Sequence, residues 1–146
     1  MKLPKQFQEE NKQNIFIYHY VEELISNYGE YLKENYSDED LTRKELPFLI
    51  RIRFSDNTTQ QELVELFKVS DGYTAKLLRK FENLEFITRI EDPTNRRRKI
   101  VKLTPKGIEK TDQLIEIINN WEENITTKIT ENEYETLKTI LFKLLI

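Results

Sequence analysis

Three consecutive arginines, Arg96-Arg97-Arg98, stand just past the turn formers Pro93, Thr94 and Asn95, with Lys99 and Lys102 close behind. A guanidinium is permanently charged, offers forked N–H donors that match phosphate oxygens, and fits a narrow minor groove, where the potential of DNA is most negative. A second cationic set, Lys76, Arg79 and Lys80, precedes it. Other chemistries are poorly provided for. His19 is the only histidine and cysteine is absent, which rules out a His-based triad, a multi-histidine or thiolate metal site, and a disulfide within one chain. The glycines at 29, 72 and 107 lack phosphate-loop spacing. Glu22-Glu23 and Glu122-Glu123 read as solvated helix-surface neighbours. The sequence therefore predicts no enzyme, no metal and no cofactor, and its strongest chemistry is recognition of a polyanion.

To present those cations, residues 58–104 must fold as two short helices followed by a hairpin. Thr59 and Glu62 stand at capping-box spacing ahead of Leu63, Leu66 and Phe67. Ser70 caps a second helix running to about Asn83, and Lys68-Val69 leave room only for a tight turn. At about 100° per residue, Thr74, Leu77, Leu78, Phe81 and Leu84 fall on a side that must be buried. Gly72, Tyr73, Lys76, Arg79, Lys80 and Asn83 fall on the other, with no carboxylate among them. A cationic helix face is common by itself. Here it is followed by strand-like alternations at 86–90 and 99–103, flanking a turn with the arginines at or beside its tip. A hairpin without a partner has little other use for three of them.

The run Asp92-Pro93-Thr94-Asn95-Arg96-Arg97-Arg98, continued by Val101-Lys102-Leu103-Thr104-Pro105-Lys106-Gly107, resembles the signature of the MarR family of transcriptional regulators. Phe81-Glu82-Asn83-Leu84-Glu85-Phe86-Ile87 is similar to that family's helix-to-wing junction except at Glu85. A glycine is usual there; Glu85 must hold a left-handed backbone at a cost of about 1 kcal/mol or avoid it. The resemblance covers residues 41–130 and implies a mainly α fold with a small β-hairpin wing, a winged helix-turn-helix flanked by N- and C-terminal dimerisation helices. It implies a homodimer that places two recognition helices in successive major grooves of a pseudo-palindromic site in double-stranded DNA.

Asp71, Gly72, Tyr73, Thr74, Lys76 and Arg79 are then the candidates for base or groove contact, although Thr74 has core phase, and Ser70 and Lys80 join them as DNA-binding residues together with Arg96, Arg97 and Arg98. Thr59, Gln60 and Gln61 lie at a helix start, where amides and hydroxyls favour a phosphate. By the family pattern Arg96 enters the minor groove, and Arg97 or Arg98 braces the wing through Asp92. Relatives often bind small aromatic acids such as salicylate where the dimer helices meet the DNA-binding lobe, which nominates Tyr18, His19 and Arg51 as effector-binding residues. In outcome the chain resembles a repressor released when a ligand changes the spacing of its recognition helices.

The length of 146 residues predicts one domain, 1–146, with a DNA-binding lobe at 41–104 and dimerisation helices at 7–36 and 105–146. Hydrophobic residues are 38% and charged residues 34%, apolar-poor for a self-sufficient monomer. The net charge of -3 is unevenly spread. Residues 68–102 hold ten Lys and Arg against five acids, so an acidic body carries one basic surface, as suits a protein that meets DNA by a single face.

In the first helix Ile15, Tyr18, Val21, Leu24, Ile25, Tyr28 and Leu32 form a stripe that Phe16, Ile17, Tyr20 and Tyr31 widen beyond one intramolecular contact. Thr42 and Glu45 make a second capping box opening a helix to about Phe54, with Pro47 in its second turn, deleting a backbone bond. Thr104 and Pro105 start a helix to about Thr127; Thr130 and Glu133 make a third box before the apolar ending Leu144-Leu145-Ile146. No stretch has the apolar length of a membrane span, and Met1-Lys2-Leu3-Pro4-Lys5 lacks the core of a signal peptide, so a cytoplasmic protein with no membrane partner is expected. The alternative reading is a winged-helix protein-interaction module without specific DNA binding, turning its hairpin to an acidic partner.

Overall fold

Side-chain caps set most of the helix starts. The computed structural model describes residues 3–55 and 57–146, which form six α-helices and one two-stranded antiparallel sheet. In chain order these are α1 (Ile17–Asn35), α2 (Leu46–Arg53), α3 (Gln60–Phe67), α4 (Asp71–Asn83), β1 (Ile87–Asp92), β2 (Asn95–Leu103), α5 (Pro105–Ile125) and α6 (Glu131–Leu145). At α3 the Thr59 hydroxyl accepts the Glu62 N–H at 3.2 Å while the Glu62 carboxylate accepts the Thr59 N–H at 2.7 Å. Thr130 and Glu133 close the same reciprocal pair at α6. Thr104 Oγ1 accepts the Gly107 N–H at 3.0 Å, with Pro105 as the first residue of α5.

Two expected starts differ. Glu45 does accept the Thr42 N–H at 2.8 Å, but Thr42 opens a turn, and Glu45 itself stands at the N-cap position, without a side-chain cap bond, of a helix that begins at Leu46. Pro47 therefore lies in the first turn rather than the second, where its missing N–H would have had no intrahelical partner, so no helix bond is lost. The first helix begins at Ile17, not near Phe7. The polar run from Glu9 to Asn14 has no apolar face to bury, and it makes turns and a single 3-10 turn at Glu9–Asn11. This segment is held to α1 by an edge-on contact of the Phe7 and Tyr20 rings at 5.4 Å and by the Tyr20 hydroxyl, which donates to the Lys12 carbonyl at 2.9 Å.

The chain forms two compact units, Asp38–Ile118 and the segment up to Ser37 together with Asn119–Ile146. In the Asp38–Ile118 unit, Leu49 of α2, Leu63 of α3, and Leu78 and Phe81 of α4 are fully buried. Burial of each such side chain contributes about 1.5–3 kcal/mol. The hairpin gains a short third edge where the Val101 N–H donates to the Thr58 carbonyl at 2.8 Å and Thr59 bridges Ile100, which fixes the start of α3 against β2.

The path from α4 into the hairpin is a helix-ending motif. The Glu85 N–H donates to the Glu82 carbonyl and the Phe86 N–H to the Phe81 carbonyl, both at 2.9 Å, and Glu85 takes the left-handed conformation at φ 62°. Thr104 Oγ1 donates to the Glu85 carbonyl at 2.5 Å. α5 then passes so close that a Cβ on Gly107 would lie 2.0 Å from the Phe86 carbonyl oxygen, a distance only a glycine permits.

Two ion pairs tie α5 into the same unit. Arg53 of α2 reaches Asp112 at 2.9 Å, and Lys110 pairs with Asp38. The Asp38 carboxylate also accepts the N–H groups of Asp40 at 2.7 Å and Leu41 at 3.0 Å. Burial pushes this carboxyl up, but the Lys110 ammonium and the two N–H groups outweigh it and hold it at about 2.

In the other unit, the Trp121 indole N–H donates to Asn27 Oδ1 at 2.8 Å, and its ring meets Tyr28 at 4.9 Å, joining α5 to α1. The Tyr134 hydroxyl donates to Glu122 at 2.6 Å, joining α6 to α5. Only Leu32 of α1 is buried, and no residue of α6 is. No described helix is long and apolar enough to cross a membrane.

Candidate nucleic-acid interface

The helix-turn-helix is closed by a single backbone adjustment. Lys68 adopts the left-handed region at φ 55°, and Ser70 Oγ then accepts the Tyr73 N–H at 3.2 Å to start α4. Phe48 of α2 seats this start, touching Phe67 edge-on at 4.8 Å and Tyr73 at 5.9 Å. Ser70, Asp71, Gly72, Tyr73, Lys76 and Arg79 are exposed, as the helical phase predicts. A Cβ at Gly72 would meet nothing within 4 Å, so the space beside the first turn of α4 is open.

Two residues expected on this face are elsewhere. Thr74 is fully buried; the phase that places it with Leu77, Leu78 and Phe81 turns it into the core, and its hydroxyl has no hydrogen-bond partner. It is withdrawn from the groove contacts. Lys80 is half-buried, and its ammonium lies 2.7 Å from Glu45 at the cap of α2. That cation closes a tertiary ion pair. Arg89, credited to the basic surface by charge count, is likewise internal: its Nε donates to Glu82 Oε2 at 3.1 Å, Nη2 converges on the same oxygen, and Nη1 donates to Gln60 Oε1 at 3.3 Å. The Arg89 guanidinium in turn holds the Glu82 carboxyl below its usual range.

In the wing, Ile87 to Glu91 pair residue by residue with Leu103 to Lys99, and the register then jumps, with Asp92 opposite Asn95. Arg96, Arg97 and Arg98 are the residues this jump leaves without a partner on β1, and all three are exposed. Asp92 does brace the hairpin, but through Thr94, whose N–H and hydroxyl donate to it at 2.8 and 2.7 Å. Among the described residues no ion pair joins it to Arg97 or Arg98, which corrects the expected brace. The two Thr94 hydrogen bonds hold the Asp92 carboxyl low, with a smaller contribution from the charge of Arg98.

The structure brings part of the remaining candidates together, Thr59, Gln60, Gln61, Asp71, Arg97 and Arg98. One open cleft is lined by Thr59, Gln60 and Gln61 at the start of α3, Val64 and Glu65 further along it, Asp71 at the start of α4, and Arg97, Arg98 and Lys99 of β2. Lys76, Arg79 and Arg96 are exposed but do not line this cleft. Lys99, Val64 and Glu65 are the lining residues absent from the site expected from sequence; only Lys99 carried a signal, its continuity with the arginine run. Of the residues nominated for an effector, Tyr18 donates its hydroxyl to Glu22 at 2.5 Å, His19 Nδ1 lies 3.4 Å from the other oxygen of that carboxylate, and Arg51 donates to the Leu66 carbonyl at 2.5 Å.

Two short helices joined by a tight turn, the second with an exposed polar first turn, and a hairpin bearing unpaired arginines define a winged helix-turn-helix of the DNA-binding kind. Comparison with known proteins agrees. The MarR family model matches residues 41–99. An uncharacterized HTH-type transcriptional regulator of Bacillus subtilis, YybA, is 30% identical over 112 residues, covering 74% of this chain and 72% of its own. A crystal structure of MarR superposes with a TM-score of 0.76 at 27% identity, covering 90% of this chain and 89% of that one. A mutant Escherichia coli MarR complexed with operator DNA shares the fold, with a TM-score of 0.70 at 23% identity over 95% of this chain and all of that one. The chain belongs to the MarR family of transcriptional regulators, which are DNA-binding proteins and not enzymes.

Proposed function

We propose that the chain is a sequence-specific regulator acting as a homodimer, with α4 of each copy in successive major grooves of a pseudo-palindromic operator, and that it represses until a small ligand shifts the spacing of the two helices. The observation that carries the DNA-binding reading is the cleft in which the starts of α3 and α4 meet Arg97, Arg98 and Lys99. In this reading Thr59, Gln60 and Gln61 hold a phosphate, Ser70 to Tyr73 with Lys76 and Arg79 face base edges, and Arg96 enters the minor groove. The homodimer is supported by apolar side chains that a monomer would expose to water: Phe16, Ile17, Tyr18 and Ile25 of the N-terminal region are 64–72% exposed, and Phe142, Leu144 and Leu145 of α6 are 60–87% exposed. The repressor role and the ligand response follow the family.

The test is binding to the best duplex the protein selects from random-sequence DNA, against a scrambled duplex of equal length, at two salt concentrations. A preference of about 10³-fold or more is expected. Arg96→Ala lowers affinity for both duplexes and reduces the salt slope by about one unit, as the loss of one cation from the negative potential of the groove requires. Equal, weak binding to both duplexes by the wild-type protein would remove the specific-regulator reading.

A further inference from the structure

Arg89 joins α3 and α4, which both contribute to the cleft, to β1, the strand paired with the cleft-lining β2. It stands on β1 with its side chain only 19% exposed, two of its N–H groups converge on Glu82 of α4, and a third donates to Gln60, the first residue of α3. Arginine is donor-only, so Gln60 must turn its amide oxygen toward Arg89. That leaves Gln60 Nε2, which has no partner among the described residues, as a donor on a residue that lines the cleft. A surface ion pair contributes little, but this one is forked, mostly covered and shared by three elements.

Resting on the DNA-binding reading above, we infer that Arg89 is a positioning residue for operator recognition: it fixes the wing against α4 and orients the Gln60 amide for a phosphate, without touching DNA itself. A lysine in its place keeps the charge but cannot make the fork or reach both partners at once.

The experiment uses the full-length protein with the selected and scrambled duplexes. Arg89→Ala is expected to lose about tenfold or more in affinity for the selected duplex, comparable to spoiling one base contact, and less than about threefold for the scrambled one. Its salt slope stays at the wild-type value, because Gln60 is uncharged and no cation that neutralises a phosphate is removed. Arg89→Lys shows the same pattern in weaker form, and the exchanged pair Glu82→Arg with Arg89→Glu recovers part of the specific affinity. A slope lower by about one unit on both duplexes would make Arg89 a direct phosphate contact and overturn the inference. Wild-type discrimination by a folded Arg89→Ala protein would overturn it as well. Should Arg89→Ala fail to fold, Arg89→Lys and the exchanged pair decide: full wild-type discrimination by the lysine variant counts against positioning, and recovery in the exchanged pair counts for it. Loss of preference in the wild-type protein itself would instead sink the DNA-binding reading.

Discussion

Thr74 is the fourth residue of α4, close to the turn that faces the groove, yet it contributes to the core with an unpaired hydroxyl. A buried hydroxyl without a partner costs roughly 1–3 kcal/mol relative to an apolar group of the same shape. Thr74→Val is therefore expected to raise unfolding stability by about 1 kcal/mol, read as a higher urea midpoint, while leaving DNA affinity unchanged. A loss of affinity would return Thr74 to the interface. This residue was legible in part, because helical phase is a local property. Lys80 and Arg89 were not, since their partners Glu45 and Glu82 are chosen by how α2 and β1 pack on α4, and a helical wheel carries no information about neighbours. At Glu85 the sequence showed the conflict between a helix end and a bulky residue; the structure shows that the two terminal hydrogen bonds prevail over the backbone strain.

Among the elements, those started by a reciprocal side-chain cap fell where sequence placed them, because all the atoms involved lie within four residues of one another. The start of α1 lacks such a cap; the polar run ahead of it has no apolar face to bury, and the contact of Phe7 with Tyr20 that holds this run to α1 is one pattern alone does not reveal. The turn at Asp38 shows the same dependence on distant partners, and it makes stability depend on pH. The Asp38 carboxyl sits at about 2 in the folded chain against an ordinary 3.8, so its contribution is complete above about pH 4 and is lost as the pH falls toward 2. The full difference is about 2 kcal/mol. Asp38→Asn is expected to lower the urea midpoint at neutral pH and to lose less further stability than wild type between pH 4 and pH 2. Parallel pH profiles for the two proteins would show that the Lys110 pair carries no such linkage.

At the scale of the molecule, the uneven charge read from the sequence has a structural counterpart, because Arg97, Arg98 and Lys99 of the wing share one cleft with the start of α3. The winged fold was legible as a succession of local signals; the cleft was not, since it depends on the Val101–Thr58 hydrogen bond and the Thr59–Ile100 bridge that hold β2 beside the start of α3. The proposed dimer belongs to this scale. Ile25 is 66% exposed on α1, so Ile25→Glu costs the isolated chain little. In a dimer it would bury an unpaired carboxylate, weakening association by about 3 kcal/mol, on the order of a hundredfold. Sedimentation equilibrium is expected to show a wild-type dimer and a variant that is mostly monomer at the same micromolar concentration, with specific DNA binding lost in parallel. An undisturbed dimer would place the interface on another face.

The wing carries one more consequence. Because Arg96, Arg97 and Arg98 have no partner across the hairpin while every pair from Glu91–Lys99 down to Ile87–Leu103 is regular, the tip and the base of the wing are structurally uncoupled. A residue gained or lost between Asn95 and Lys99 changes how far the arginines reach without shifting a side chain of the base to the opposite face. Evolution can thus retune the length and charge of this finger as an operator drifts, while the hydrophobic foundation beneath it stays as it is.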